Sequence, residues 1–303
     1  MNNRKTVTSS STRQHQIRQA LSNKQGSVNN KQEAKKELFK SQRQRRVESK
    51  KPANASARVS RYPIKPPHFM NQEGTFKHSG DLGDLYYSLP IIRYYGGGTL
   101  FLNPYGLNTK KVDGTPSGLN ETTMKMVMPL LEIQPYIKEV KKWNSSISVA
   151  VNIDDFRGNF HFPATTLCGK ILGNFNVPFS ETDNAWITCD PIKVAPTVFA
   201  RSFRYRNGRT DYAPLKQKYK DCIFVGLPAE HADFERCFGK ISFFPVQNFL
   251  QMAQVINGAE RLIGNQSSPM ALAIAMHKPF IQEAWKYASD CVFTRPDSAY
   301  MRM

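Results

Sequence analysis

The chain has no closely spaced cysteine pair, no apolar run long enough to cross a bilayer and, over its first 60 residues, almost no large apolar side chain. Each shortage excludes something. The five cysteines (Cys168, Cys189, Cys222, Cys237 and Cys291) are odd in number and lack any CxxC spacing. Most stand inside apolar runs, so they read as reduced, buried thiols of a cytosol-like compartment, with neither a disulfide framework nor a zinc site. Without a membrane-length segment, or the apolar core of a secretion signal at the N-terminus, the expectation is a cytoplasmic protein with no transmembrane segment. The six histidines, His15, His68, His78, His161, His231 and His277, show no metal-ligand spacing. Neither a Ser-His-Asp order nor a P-loop is present, and the expectation is no metal and no bound cofactor.

Charge is what the chain has in excess, and it is unevenly placed. Residues 1–60 hold 15 Lys and Arg against 3 Glu, while residues 61–303 hold 27 basic against 21 acidic side chains. The first segment buries too little apolar surface to offset the entropy of ordering, so it reads as a disordered basic tail. Its stretch 31–46 has good helix formers and could become helical on an anionic surface. One reading is attraction to an anionic polymer, nucleic acid or the anionic face of a membrane. The other is a solvated tail. Residues 61–71, with prolines at 63, 66 and 67, form a linker.

From residue 72 onward, short β-like apolar runs alternate with helix-like stretches, the pattern of an α/β protein with parallel sheets. Strands are expected at 75–79, 99–102 and 147–153, the last being the clearest later strand, with helices at 85–95 and 163–172. A second half restarts at 195–200, with strands at 222–225, 241–244, 261–263 and 279–282 and helices at 229–237, 246–256 and 269–276. Domains are therefore expected at 72–190 and 191–303. Gly96-Gly-Gly98 reads as a helix exit.

Two turns carry the chemistry. His78-Ser-Gly-Asp-Leu-Gly-Asp84 lies where a strand gives way to a helix, as does Ile263-Gly-Asn-Gln-Ser-Ser-Pro-Met270. Gly80 and Gly83 let backbone approach a ligand closely, and the following helix directs free N–H groups into the same space. Asp84 and Asp81 also have a plain reading as helix caps. Ser267 and Ser268 can likewise be an N-cap followed by Pro269.

Taken together, Gly80-Asp-Leu-Gly-Asp84 with Leu89-Pro90, and the turn 263–270 with Ala273, Ala275 and Lys278-Pro279, resemble the paired signatures of glycosyltransferase family 9, the ADP-heptose:lipopolysaccharide heptosyltransferase-like group. The resemblance covers residues 72–290. It implies a GT-B fold of two facing Rossmann-like domains, and inverting, metal-independent transfer of a sugar from a nucleotide-diphospho-sugar to a glycan or glycolipid hydroxyl. Asp84 then matches the general base, with Asp81, Gly80 and Gly83 orienting the loop. The leaving diphosphate needs positive charge, for which Arg201 and Arg204 are candidates; a solvated basic loop is the other reading. Asn265, Gln266, Ser267 and Ser268 would touch the donor, and Glu230 and Glu283 would accept from ribose hydroxyls. Asp154, Asp155 and Arg157 would face the acceptor or pair with one another.

This chain departs from the family's usual Asp, Gly and His at Gln266, Ser268 and Ala271. Two other classes therefore stay open on the residues alone: a noncatalytic nucleotide-sugar or glycan-binding relative, and a nucleic-acid-associated protein acting through its tail.

Overall fold

The computed structural model describes residues 73–105, 107–110, 116–158 and 166–301, all within one compact unit. The basic tail and the proline-rich linker lie outside the described residues. The first half begins with β1 (Gly74–His78), α1 (Leu82–Tyr94) and β2 (Gly98–Leu102). A short antiparallel pair, β3 (Leu107–Lys110) and β4 (Pro116–Ser117), precedes α2 (Glu121–Glu132), β5 (Ile137–Lys142), β6 (Val151–Asn152) and α3 (Leu167–Asn174). The second half runs β7 (Thr197–Ala200), α4 (Ala213–Lys218), β8 (Cys222–Phe224), α5 (Pro228–Phe238), β9 (Ser242–Phe243), α6 (Phe249–Gly258), β10 (Arg261–Asn265), α7 (Ser268–Ala275), β11 (Phe280–Glu283) and β12 (Ser298–Met301).

Both major sheets are wholly parallel, as expected for the α/β class. The first has the order β5-β2-β1-β6 and the second β12-β11-β10-β7-β8-β9. Counted from its own first strand, the second sheet has the doubly wound order 3-2-1-4-5-6, and the first is the same plan cut to 3-2-1-4. Such a sheet opens a ligand crevice where the strand order reverses, beyond the carboxyl ends of the two central strands. Those points lie between β1 and β6 in one sheet and between β7 and β10 in the other.

Side chains of the second sheet alternate between two layers, as the two-residue period of a strand requires. Val198, Ile223 and Leu262 enter the main core, while Phe199, Phe224 and Ile263 enter a smaller aromatic cluster with Tyr212 and Phe234. The main core is continuous from Phe76 on β1 to Phe280 on β11, so the halves share it. Helix α1 packs on α7, and α2 packs on α6. Residues 85–92 are all buried, which is why α1 shows little amphipathic periodicity: it is enclosed from every side.

Pro90 sits inside α1 and cannot donate to the carbonyl four residues back. The indole N–H of the fully buried Trp186, on the segment joining the halves, donates to that Tyr86 oxygen at 2.8 Å. The Leu89-Pro90 pair thus has a structural role, leaving an acceptor that the connecting segment fills.

Three expectations need correction. Of the proposed strand 147–153, only Val151–Asn152 pairs, and Ile153–Gly158 is a 3-10 turn; this strand is an edge bonded to β1 alone. Strand β5 was not foreseen, because at this opposite edge its Ile137 and Val140 are the buried positions among exposed charges, a pattern without strict alternation. Of the thiols, Cys168 is buried but Cys237 is exposed on the outer face of α5.

The Trp186 bond gives a test by double-mutant cycle. Trp186→Phe strands the Tyr86 carbonyl and should cost about 1–3 kcal/mol for that bond beyond any packing loss. In a Pro90→Ala background, where position 90 regains a backbone N–H, chemical denaturation should show a smaller cost for the same change.

Candidate functional site

The first turn is held by a network beneath it. Half-buried Asp154, from the turn after β6, accepts from the Ser79 N–H at 3.0 Å and from the Ser79 hydroxyl, and Lys77 lies 3.5 Å away. Arg157 then joins two carboxylates, at 2.7 Å to Asp154 Oδ1 and 2.7 Å to Asp84 Oδ2. Gly80 is needed for this crossing, since a Cβ there would fall 1.7 Å from the Arg157 guanidinium. Gly83 has open space around it, lies inside α1 and lines the cavities described below, so its lack of a side chain leaves room for a ligand.

Burial pushes the Asp84 carboxyl up to about 6, against the opposing pull of Arg157. Asp84 is therefore a carboxyl able to gain or lose a proton near neutrality. Burial also lowers the neighbouring His78 to about 4. Its Nδ1 accepts from the Gly80 N–H at 3.0 Å, so the ring is a neutral prop under the loop. Asp154 is held below the usual carboxylate range: burial opposes ionisation, but His78 and the Ser79 hydrogen bonds outweigh it.

Asp81 does not cap α1 with its side chain. It accepts from the Gly118 N–H at 3.1 Å, and Arg204 of the other half approaches it at 3.3 Å. With 40% of the Arg204 side chain exposed, such a pair is worth about 0–1 kcal/mol, so a ligand anion could replace Asp81 at little cost.

On the opposite wall, Asn265 is fully buried at the end of β10 and clamps the loop after β7. Its Oδ1 accepts from the Ser202 N–H at 3.0 Å, and its amide donates to the carbonyls of Ser202 and Arg204. The clamp holds Tyr205 at a φ of 50°, in the left-handed region, a strain that persists only where surroundings enforce it. Ser267 and Ser268 stand at the N-terminus of α7, where the Ser267 side chain makes no cap, and both residues line the cleft.

Two adjoining cavities result. One, of about 300 Å³, is lined by Asp84, Arg204, Tyr205, Gln266, Gln282 and Tyr287 among others. The second, of about 420 Å³, is lined by Leu82, Gly118, Leu119, Asn120, Thr123 and Ser202. Asp81, Gly83, Arg204, Gln266, Ser267 and Ser268 belong to both.

Several residues expected here stand elsewhere. Arg201 and Glu283 do not line either cavity; they form a buried bidentate pair at 2.8 and 3.0 Å, and Tyr212 adds a third bond to Glu283. Breaking such a pair costs about 3–5 kcal/mol, which marks it as architectural. Glu230 turns back to the Leu227 N–H at 2.9 Å at the start of α5. Asp155 bonds Asn152 at 2.6 Å, and Asp154 and Arg157 act beneath Asp84. Gln266 is buried and ties the loop after β11, accepting from the Trp285 N–H at 2.7 Å and donating to the Ala288 carbonyl at 2.6 Å. The wall at 118–123 was missed, although Asn120, whose side chain caps α2, was a readable helix start. The Tyr205 and Tyr287 wall has no local signature.

No protein-family model matches the sequence, and no curated protein matches it. Among solved structures, the chain is similar to a glycosyl transferase family 9 protein from Veillonella parvula DSM 2008, with 10% identity, coverage of 75% of this chain and 84% of that one, and a TM-score of 0.48. It is also similar to E. coli heptosyltransferase WaaC with ADP-2-deoxy-2-fluoro heptose, at 10% identity, 76% and 93% coverage and a TM-score of 0.44. For E. coli ADP-heptose lps heptosyltransferase II the values are 9%, 77% and 91%, and 0.43.

The Asp84 network can be checked by carboxyl NMR titration, with Asp84→Asn identifying the resonance. Asp84 should titrate at about 6. Because Arg157 favours the charged form, Arg157→Gln should move the midpoint upward; an unmoved midpoint would show the pair to be electrostatically idle.

Proposed function

We propose that this protein is an inverting, metal-independent glycosyltransferase that moves a sugar from a nucleotide-diphospho-sugar to a hydroxyl of a glycan or glycolipid. The observation that carries the reading is the meeting of the two switch-point crevices. One wall presents Asp84, a carboxyl shifted toward neutrality, and the other presents Arg204 and the N-terminus of α7. A proton acceptor facing an anion-binding end is the pairing that displacement of a diphosphate requires.

In this scheme residues 191–303 take the donor and residues 72–190 take the acceptor. The diphosphate lies against the α7 N-terminus, where backbone N–H groups and the helix dipole favour negative charge. Arg204 exchanges Asp81 for a phosphate oxygen. Arg157 holds Oδ2 of Asp84, leaving Oδ1 to take the proton. The acceptor hydroxyl gives that proton to Asp84 as its oxygen attacks the anomeric carbon from the face opposite the diphosphate. The bond from that carbon to the phosphate oxygen breaks, its electron pair leaves with the diphosphate, and the configuration inverts. The second cavity, with Asn120 and Thr123 on its wall, is the place for the acceptor.

A panel of ADP-, GDP-, UDP- and CMP-sugars, screened by thermal stabilisation, identifies the donor, since a ligand that binds only the folded state raises its stability. With that donor, Asp84→Asn should lower transfer by at least about 100-fold while the melting temperature holds; undiminished transfer would refute the base assignment. Arg204→Met should weaken donor binding with the fold intact, and donor binding by the wild type without transfer to any acceptor would assign a noncatalytic binding role. The rate should rise with pH through about 6, the midpoint of Asp84, because only the ionised carboxyl accepts a proton.

A further inference from the structure

One wall of the smaller cavity is not used by that mechanism. Tyr287, on the 3-10 turn Lys286–Cys291, lines the cavity with 71% of its surface exposed, a large ring left in water at the mouth of a polar site. Behind it the rings run in series, Tyr287 to Trp285 at 5.0 Å and Trp285 to Tyr205 at 5.6 Å. The series is fixed at both ends. Gln266 pins the backbone of Trp285 and Ala288, while Arg204 lies 4.9 Å from the Tyr205 ring and donates to its hydroxyl at 3.0 Å. The same cavity therefore has a cationic, helix-terminal end and an aromatic end, about 300 Å³ in all. A ligand that satisfies both carries an anionic group and a flat ring.

We infer that Tyr205 and Tyr287, braced by Trp285 behind them, form a stacking platform for the planar base of the nucleotide, a reading that rests on the nucleotide-sugar site proposed above. The transferred sugar has to lie within reach of Asp84 on α1, and the diphosphate against α7, which leaves the aromatic wall of the second half for the base. Stacking on a tyrosine face tolerates any base, since every base has a π-face, so the platform supplies affinity and orientation in place of base selection. It also gives Gln266 a purpose. Where the resemblance would have an acidic side chain at the donor, this chain has a carboxamide whose two ends hold the aromatic loop.

The test is titration of the full chain's tryptophan fluorescence with ADP, GDP, UDP and CDP, with pyrophosphate as the base-free control. Nucleoside diphosphates should quench the emission and pyrophosphate should not, and Trp285→Phe should abolish the quenching. Measured by titration calorimetry, Tyr287→Ala should weaken nucleoside diphosphate binding about tenfold or more and leave pyrophosphate binding unchanged, while Tyr287→Phe keeps both. Equal affinity of Tyr287→Ala and wild type for every nucleoside diphosphate would overturn the platform. If only the intact nucleotide-sugar loses affinity, the wall serves the sugar and the proposal is again overturned. Failure of both nucleoside diphosphate and pyrophosphate to bind wild type would sink the nucleotide site itself, a result distinct from loss of stacking alone.

Discussion

The packing of α1 against α7 in one continuous core is the constraint on which the site depends. Each helix begins at the switch point of its own sheet, so fixing one helix against the other fixes the two crevices face to face. Asp81 and Arg204 come within 3.3 Å across that junction, yet their half-exposed pair is too weak to hold the halves together. The apolar layer does that. Nearly every residue of both helices between their first turn and their last is buried, and burial of this kind is the dominant favourable contribution to folding. The polar groups at the helix starts are then free to serve chemistry.

Electrostatics divides into groups that hold the site and groups that can respond to a ligand. Arg201 and Glu283 are withdrawn from solvent and bonded to each other, so changing either leaves an uncompensated charge in the interior. Arg204 is two-fifths exposed and bound to Asp81 by one weak contact, which suits a cation that must change partners. Arg157 stands between these cases. It draws Asp84 toward the charged form while burial drives it the other way, and burial prevails. Basicity near neutrality at Asp84 thus results from two opposed effects, and the glycine at 80 is what allows Arg157 to reach it.

The class of fold was legible in the sequence because strand and helix periods differ and the second half alternates them cleanly. Edge strands were the failures. Strand β5 carries charge at four of its six positions, and the segment before β6 looks apolar but finds a partner for only two residues. The two turns were also legible, since glycine, acidic and hydroxyl residues at strand-to-helix junctions have a local physical reason to be there. Roles within them were less so. Local sequence can say that Arg201 and Arg204 share a loop, but not that one faces a buried glutamate and the other the cleft.

What the sequence determined by itself is therefore local: the alternation that makes parallel sheets, the glycine at 80, the carboxyl at 84 and the hydroxyls that open α7. The tertiary structure alone decided which of these meet. The partners of Asp84, Asn265 and Gln266 lie 73, 63 and 22 residues away, and only the crossing of the chain between sheets and strands brings them into contact. The aromatic wall has the same origin. Tyr205 belongs to the loop after β7, Trp285 and Tyr287 to the loop after β11, and the two loops meet because β7, β10 and β11 lie side by side.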